Sequence, residues 1–231
     1  RRQQEQLFQA EKTSVLGQLT AGIVHEIRNP VTSLSITLEN MSNLLQKAGV
    51  EPALIERTTQ TAQKSISEIK KFLTSLLNFS RKEEFHKEKV QLKTILDEAL
   101  LIIRKAAKES KVIVKDDIDC DINCECDPQK IKQVLLNLML NSIEAMPNGG
   151  SLEIKCRSIG HKVSLQVSDN GKGIPENILQ DIFIPFYTTK DQGTGLGLSI
   201  VKEIIDLHKG TIKAESVVDK GTTFTIELPD Y

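Results

Sequence analysis

Ile55-Glu-Arg-Thr-Thr59-Gln-Thr-Ala62-Gln-Lys-Ser-Ile66-Ser-Glu-Ile69-Lys-Lys-Phe-Leu73-Thr-Ser-Leu76 places an apolar or small residue at alternating steps of four and three. This is a heptad seam, and it predicts a long helix packed against another helix. A second stripe lies upstream, through Leu16, Leu19, Ile23, Ile27, Leu34, Leu38, Met41 and Leu45. Between the two, Lys47-Ala48-Gly49-Val50-Glu51-Pro52 stops one helix and starts the next. Together they predict an antiparallel helical hairpin. One hairpin cannot hide both stripes, and Leu77 and Phe79 lie off the seam, so a second copy is expected to complete a dimeric four-helix bundle. The Gln- and charge-rich stretch Arg1–Ser14 extends the first helix upstream, and the pattern dissolves into charge over Arg81–Lys89, which reads as a linker.

Beyond that linker the periodicity becomes mixed. Gln91–Glu109 reads as a helix, and Lys111–Lys115 and the Cys124 region as short strands. Pro128 opens a helix running through Ile131, Val134, Leu135 and Leu138 to Ala145. Strands follow at Ser151–Ile159 and Lys162–Ser168, then a helix over Leu198–His208 that stops at Gly210. Thr211–Val218 and Thr222–Leu228 close the chain as two strands around Asp219-Lys220-Gly221. The expected second domain is an α/β sandwich with its strands grouped in hairpins rather than in a βαβ parallel order.

Composition removes several classes. The 231 residues carry 30 Lys+Arg against 31 Asp+Glu, so there is no basic excess of the kind a nucleic-acid binder uses. At 39% hydrophobic and 26% charged, the chain can bury a core and is no disordered tail. No apolar run approaches the roughly 18 residues of a membrane span. The chain opens on Arg1 rather than Met, which points to a piece of a longer protein. Membrane attachment is expected only through segments outside this chain, and the location is expected to be cytoplasmic. Cys120, Cys124, Cys126 and Cys156 match no common zinc pair and read as reduced, small apolar residues.

His25 falls on the face of its helix opposite Ile23, toward solvent. Alone it would read as an ordinary surface residue. Its neighbours, His25-Glu26-Ile27-Arg28-Asn29-Pro30, offer more. A carboxylate beside an imidazole can accept from Nδ1–H, fix the tautomer and leave Nε2 as a nucleophile. Asn29 shares the face of His25 and could orient a water there. Pro30 removes the amide that would pair with the Glu26 carbonyl, so either the helix bends here or Asn29 caps a new one.

Three further clusters suit a nucleotide. Asn137 and Asn141 stand one helical turn apart, where their amide oxygens can meet a magnesium ion and its phosphates or cap a neighbouring strand. The strand ending in Asp169-Asn170-Gly171-Lys172-Gly173 could enter a tight turn. Equally, Asp169 could accept from an exocyclic amine while Gly171 and Gly173 let a ring approach. Gly193-Thr194-Gly195-Leu196-Gly197 opens the late helix, presenting backbone N–H groups and a positive dipole end to phosphate. It is neither a Walker A loop nor the dinucleotide fingerprint.

In this order the motifs resemble those of the bacterial two-component sensor histidine kinases, most nearly the nitrogen-regulator type. His25–Pro30 is similar to the phosphoacceptor box, Asn137–Ala145 to the N box and Asp169–Gly173 to the G1 box. Phe183–Lys190 is similar to the F box and Gly193–Gly197 to the G2 box. The resemblance implies an upstream signalling segment at 1–14, a dimerisation and phosphotransfer domain at 15–84 and a catalytic ATP-binding domain at 85–231. It implies ATP and Mg²⁺ as cofactors, with Asp169 on adenine, Asn141 on the metal and Asn137 lining the pocket. Gly171, Gly173, Gly193, Thr194, Gly195, Leu196 and Gly197 would shape that pocket, and Lys190 would face the phosphate tail. It further implies autophosphorylation of His25 assisted by Glu26, and transfer to an aspartate of a response regulator. Asn29 would place water for the reverse, phosphatase reaction. The implied partners are a second copy and a receiver domain; a small inhibitory protein on the hairpin is compatible with it. The competing classes are a gyrase-like ATPase without a phosphohistidine, which would need no His25–Glu26 helix, and an inactive scaffold, which would need no intact pocket.

Overall fold

The computed structural model describes residues 27, 29–80, 85–118, 122–160, 162–190 and 194–229. They fall into two compact units, Arg1–Glu83 with Lys190–Thr194, and Glu84–Thr189 with Gly195–Tyr231. His25 and Glu26, the apolar stripe from Leu16 to Ile23 and the segment 1–14 lie outside the described residues, as do Cys120 and Gly193. No helix among the described residues is long and apolar enough to cross a membrane.

The first unit is built from helix α1, over residues 29–47, and helix α2, Pro52–Ser80. Pro30 lies inside helical backbone with Ile27 also helical upstream, so the chain is helical on both sides of the proline. The turn between the helices has a defined mechanism. Gly49 takes φ +76°, its amide donates to the Gln46 carbonyl at 3.1 Å, and the Val50 amide donates to Leu45 at 3.1 Å. This pair of bonds around a left-handed residue is the Schellman stop, and Pro52 follows at once to start α2. On the predicted seam Ile55, Thr59 and Leu73 are buried, and Ala62 and Ile66 half-buried. Ile69 is 41% exposed, as are Leu34 at 58% and Leu44 at 66% on α1, so a single copy leaves apolar surface uncovered. The side chains of Leu76, Leu77 and Phe79 lie outside the described set.

In the second unit the elements run β1 (Glu88–Gln91), α3 (Leu92–Glu109), β2 (Val112–Ile118), β3 (Asn123–Cys126), α4 (Pro128–Glu144), β4 (Gly150–Ile159) and β5 (Lys162–Asp169). A 3₁₀ turn at Glu176–Ile178 precedes α5 (Gly197–Leu207), β6 (Thr211–Val217) and β7 (Gly221–Pro229). Five strands form one sheet in the order β2-β4-β5-β7-β6, and β1 pairs with β3 as a separate ribbon. Alternate residues of β5 (Val163, Leu165, Val167) and β7 (Phe224, Ile226, Leu228) are buried against α3, α4 and α5, which contribute Leu96, Ile103, Leu135, Leu138, Val201 and Ile205 to the same core. That alternation is the period-2 signature of a sheet with one covered face.

Two expectations need correction. β2 pairs with β4 in parallel, Val112 opposite Gly150 through Ile118 opposite Cys156, so the sheet is mixed rather than all hairpins. The chain leaves β2, crosses through β3 and α4, and returns; periodicity marks each strand but not its partner. The charge-rich stretch ending at Lys89 is not all linker, because Glu88–Gln91 pairs antiparallel with Asn123–Cys126. With only Val90 turned partly inward, β1 is too short and polar to show alternation.

A buried histidine ties the start of this unit to its core. The Asp127 amide donates to His208 Nε2 at 3.0 Å, which leaves the proton on Nδ1 to be donated to the Ile204 carbonyl at 2.7 Å. Asp127 caps α4, accepting from the Lys130 amide through Oδ1, and receives the His86 amide on Oδ2 at 3.1 Å. Phe85 meets the imidazole edge-on at 4.7 Å between centroids. Cys124, Cys126 and Cys156 are reduced and buried; the Cys124 thiol and burial push the Cys126 thiol far above its usual range.

Two outcomes are expected. Gly49→Ala, whose Cβ meets nothing within 4 Å, carries only the left-handed backbone cost and lowers stability by about 1–2 kcal/mol in urea unfolding, less for Gly49→Asn. Burial holds the His208 imidazole below its usual range, with Lys87 adding to the effect and Asp127 and the Ile204 carbonyl opposing it. The unfolded chain therefore binds that proton first as the pH falls. The stabilisation is present above about pH 6.5 and is lost below it, so circular-dichroism melts decline on acidification and decline less in His208→Gln.

Candidate functional site

Helix α4 begins firmly, with Asp127 at its N-cap and Pro128 in its first turn. Its register turns Asn137 and Asn141 toward the start of α5. Asn137 Nδ2 reaches the Gly197 carbonyl at 3.5 Å, and a Cβ on Gly197 would lie 3.9 Å from Asn141 Nδ2 and 4.0 Å from Asn137 Oδ1. The N-terminus of α5 carries no side-chain cap; Leu196 occupies the N-cap and is fully buried. Two amides therefore face the positive end of an eleven-residue helix, an arrangement suited to phosphate and a hard cation.

Gly195 is held by sterics. At φ +67° its Cβ would run into the Phe186 backbone, and the Phe186 amide donates to the Gly195 carbonyl at 2.9 Å. Phe186 is itself left-handed at φ +67° and 42% exposed.

Asp169 ends β5 on the covered face, continuing the inward positions Val163, Leu165 and Val167. Its Oδ1 accepts from the Gly171 amide at 2.9 Å and from the Thr222 amide at 3.2 Å. The loop after it is no hairpin. It is fastened to α4 by the Lys172 amide on the Ala145 carbonyl at 3.1 Å, and to β6 by the Ile174 amide on Ser216 Oγ at 2.7 Å. Any Cβ on Gly171 would lie 2.6 Å from the Ala145 carbonyl oxygen, and one on Gly173, at φ +68°, would strike the Val217 carbonyl. The loop thus presents main chain where any other residue would present bulk.

The second unit brings Asn137, Asn141, Gly195, Leu196 and Gly197 together at one helix start, and Asp169, Gly171 and Gly173 at one strand end. Lys190 and Thr194 group with the first unit instead, and Asn29 is exposed on α1. Sequence reasoning missed Thr222. It faces inward opposite Asp169 in a strand whose other inward residues are Phe224, Ile226 and Leu228, and that break in an apolar alternation was the available signal.

Gly171→Ala is expected to cost about 1–3 kcal/mol in urea unfolding, because the methyl meets a backbone oxygen that is itself bonded to the same loop.

Comparison with known proteins agrees with this geometry. Residues 15–85 match the His Kinase A (phospho-acceptor) domain, and residues 126–231 match the histidine kinase-, DNA gyrase B- and HSP90-like ATPase family. Sporulation kinase A of Bacillus subtilis is 36% identical over 99% of this chain and 37% of its own length. Sensor histidine kinase ZraS of Escherichia coli is 33% identical over 98% of this chain and 48% of its own. This chain therefore spans less than half the length of either. Among solved structures, the catalytic domain of histidine kinase ThkA is 36% identical, covering 64% of this chain and 97% of its own with a TM-score of 0.58. ThkA in complex with response regulator protein TrrA covers the whole of this chain and 66% of its own at 28% identity, with a TM-score of 0.72. With a nucleotide-binding sandwich following a phosphoacceptor region, the chain belongs to the two-component sensor histidine kinases.

Proposed function

We propose that this chain takes ATP with Mg²⁺, phosphorylates itself on His25, and passes the phosphoryl group to an aspartate of a response-regulator receiver domain. The observation that carries the reading is the convergence of Asn137 and Asn141 on Gly197 at the open start of α5, in the same unit as an Asp169 held by two backbone amides. The family assignment of residues 15–85, which includes His25, supports the acceptor half. ThkA, solved with a response regulator, supports the choice of partner.

Asp169 would accept from the adenine amine, with Gly171 and Gly173 giving the ring room. Asn141 would hold Mg²⁺, whose charge offsets that of the phosphates, and Asn137 would line the same pocket. Gly193, Thr194, Gly195, Leu196 and Gly197 would wrap the phosphate tail, with Lys190 supplying positive charge. In the transfer, the Nε2 lone pair of His25 forms the bond to the γ-phosphorus. The bond to the bridging oxygen breaks, and its electrons leave with ADP. Glu26 accepts from Nδ1–H, which keeps Nε2 unprotonated and takes up the developing positive charge. The demand on the protein is positioning and neutralisation rather than new covalent chemistry. Asn29, exposed on α1, would orient water for dephosphorylating the regulator. The exposed Leu34, Met41, Leu44 and Ile69 favour a homodimer in the cytoplasm, each copy covering the apolar face of the other.

The test is labelling with γ-labelled ATP and Mg²⁺, with the labelled species sized by sedimentation. The expected label is lost in acid, kept in base, carried by a dimer, absent from His25→Gln and retained in Asn29→Ala. Asn141→Asp and Asp169→Asn are expected to weaken ATP binding at least tenfold, a loss of about 1.4 kcal/mol or more. ATP consumption with no label on the protein would replace this reading with a gyrase-like ATPase.

A further inference from the structure

Side-chain hydroxyls on the helices of this protein follow a common habit. Ser35 donates to the Val31 carbonyl, Thr37 to Ser33, Thr59 to Ile55 and Ser199 to Leu196, each within 3.1 Å. Back-bonding of this kind is how a helix absorbs a hydroxyl. Ser142 on α4 does not follow it. It is 1% exposed, and its Oγ has no hydrogen-bond partner among the described residues. A buried hydroxyl without a partner is unfavourable to the folded state, and a native structure that keeps one invites an explanation.

The surroundings supply that explanation. Ser142 lies one turn before Ala145 and on the same face of α4, the face whose Ala145 carbonyl abuts Gly171 and receives the Lys172 amide. Two residues before Gly171, Asp169 occupies the last inward position of β5, between Leu152 and Thr222 in the neighbouring strands. Both amides that Asp169 accepts are on Oδ1, and Oδ2 has no partner among the described residues. The Thr222 hydroxyl is already engaged with Ser216 Oγ at 2.9 Å. At the open end of this inner face there remain one carboxylate oxygen that can accept and one hydroxyl that can donate. That pair matches the edge of adenine, where the 6-amino donor sits beside the N1 acceptor. It mismatches guanine, where O6 would meet the carboxylate and N1 carries a hydrogen.

We propose that Ser142 reads the base: its Oγ–H donates to adenine N1, directly or through one ordered water, beside the Asp169 carboxylate that accepts from the amine. This rests on the nucleotide reading above and adds to it a residue that selects adenine over guanine. The hydroxyl is left unsatisfied in the empty pocket so that the base can satisfy it.

The experiment compares the whole chain with Ser142→Ala, using equilibrium binding of ATP, GTP and 1-deaza-ATP, which lacks the N1 acceptor, together with melting of the nucleotide-free proteins. The expected result is opposite in sign for the two readouts. Nucleotide-free Ser142→Ala melts about 2–4 °C higher, because the orphan hydroxyl is gone. Its ATP affinity falls about 3- to 10-fold while 1-deaza-ATP affinity changes little, so the preference of the parent for ATP collapses. If the parent binds ATP and Ser142→Ala keeps the same ATP to 1-deaza-ATP ratio, the base-reading role is overturned and the nucleotide site stands. If the parent binds none of the three, the nucleotide reading itself fails and takes this inference with it.

Discussion

The Ala145 carbonyl receives the Lys172 amide at 3.1 Å, and the same oxygen stands where any side chain on residue 171 would have to go. This contact fixes how closely the C-terminal end of α4 approaches the end of β5. The opposite end of α4 is fixed as firmly by Asp127, whose side chain caps the helix while its amide is held by His208. A helix pinned at both ends has little freedom to slide or rotate, so the residues between are placed by the pins. Asn137 and Asn141 then meet α5, and Ser142 turns inward beside Asp169.

The hydrophobic core performs the same task at lower resolution. Leu135, Leu138 and Met139 of α4 are fully buried, as are Leu152 and Ile154 of β4. Packing of this density resists changes of a single methylene, and it keeps the helix seated on the sheet. The polar contacts at the ends choose one seating among those the core would accept. Apolar burial supplies the larger share of the stability, while the hydrogen bonds fix the register.

What could be read in the sequence was local. Gly49 followed by Pro52 marks a helix stop and a helix start within four residues, and the structure adds the Schellman bonds around the same glycine. The asparagine pair, the aspartate with its glycines and the glycine-rich helix start are likewise short patterns, each legible alone. The pairing of β2 with β4 was not legible, because the partners are nearly forty positions apart in the chain and nothing in either strand names the other. β1 was hidden by charge, since a four-residue strand with one inward apolar residue has no period to detect. Ser142 was invisible for a different reason. Serine is unremarkable in a helix, and only burial together with the lack of a partner sets this one apart.

The loop at Gly171 and Gly173 has a consequence for how this site can change over time. Its floor is main chain, pressed against the Ala145 and Val217 carbonyls, so no side chain there can be trimmed to enlarge it. Substitution can only add atoms, and added atoms collide with backbone that cannot move without disturbing α4 or the β6–β7 turn. An inhibitor that drew its affinity from this floor would meet a surface with few routes to resistance. One that drew its affinity from side chains at the rim would face a target free to drift.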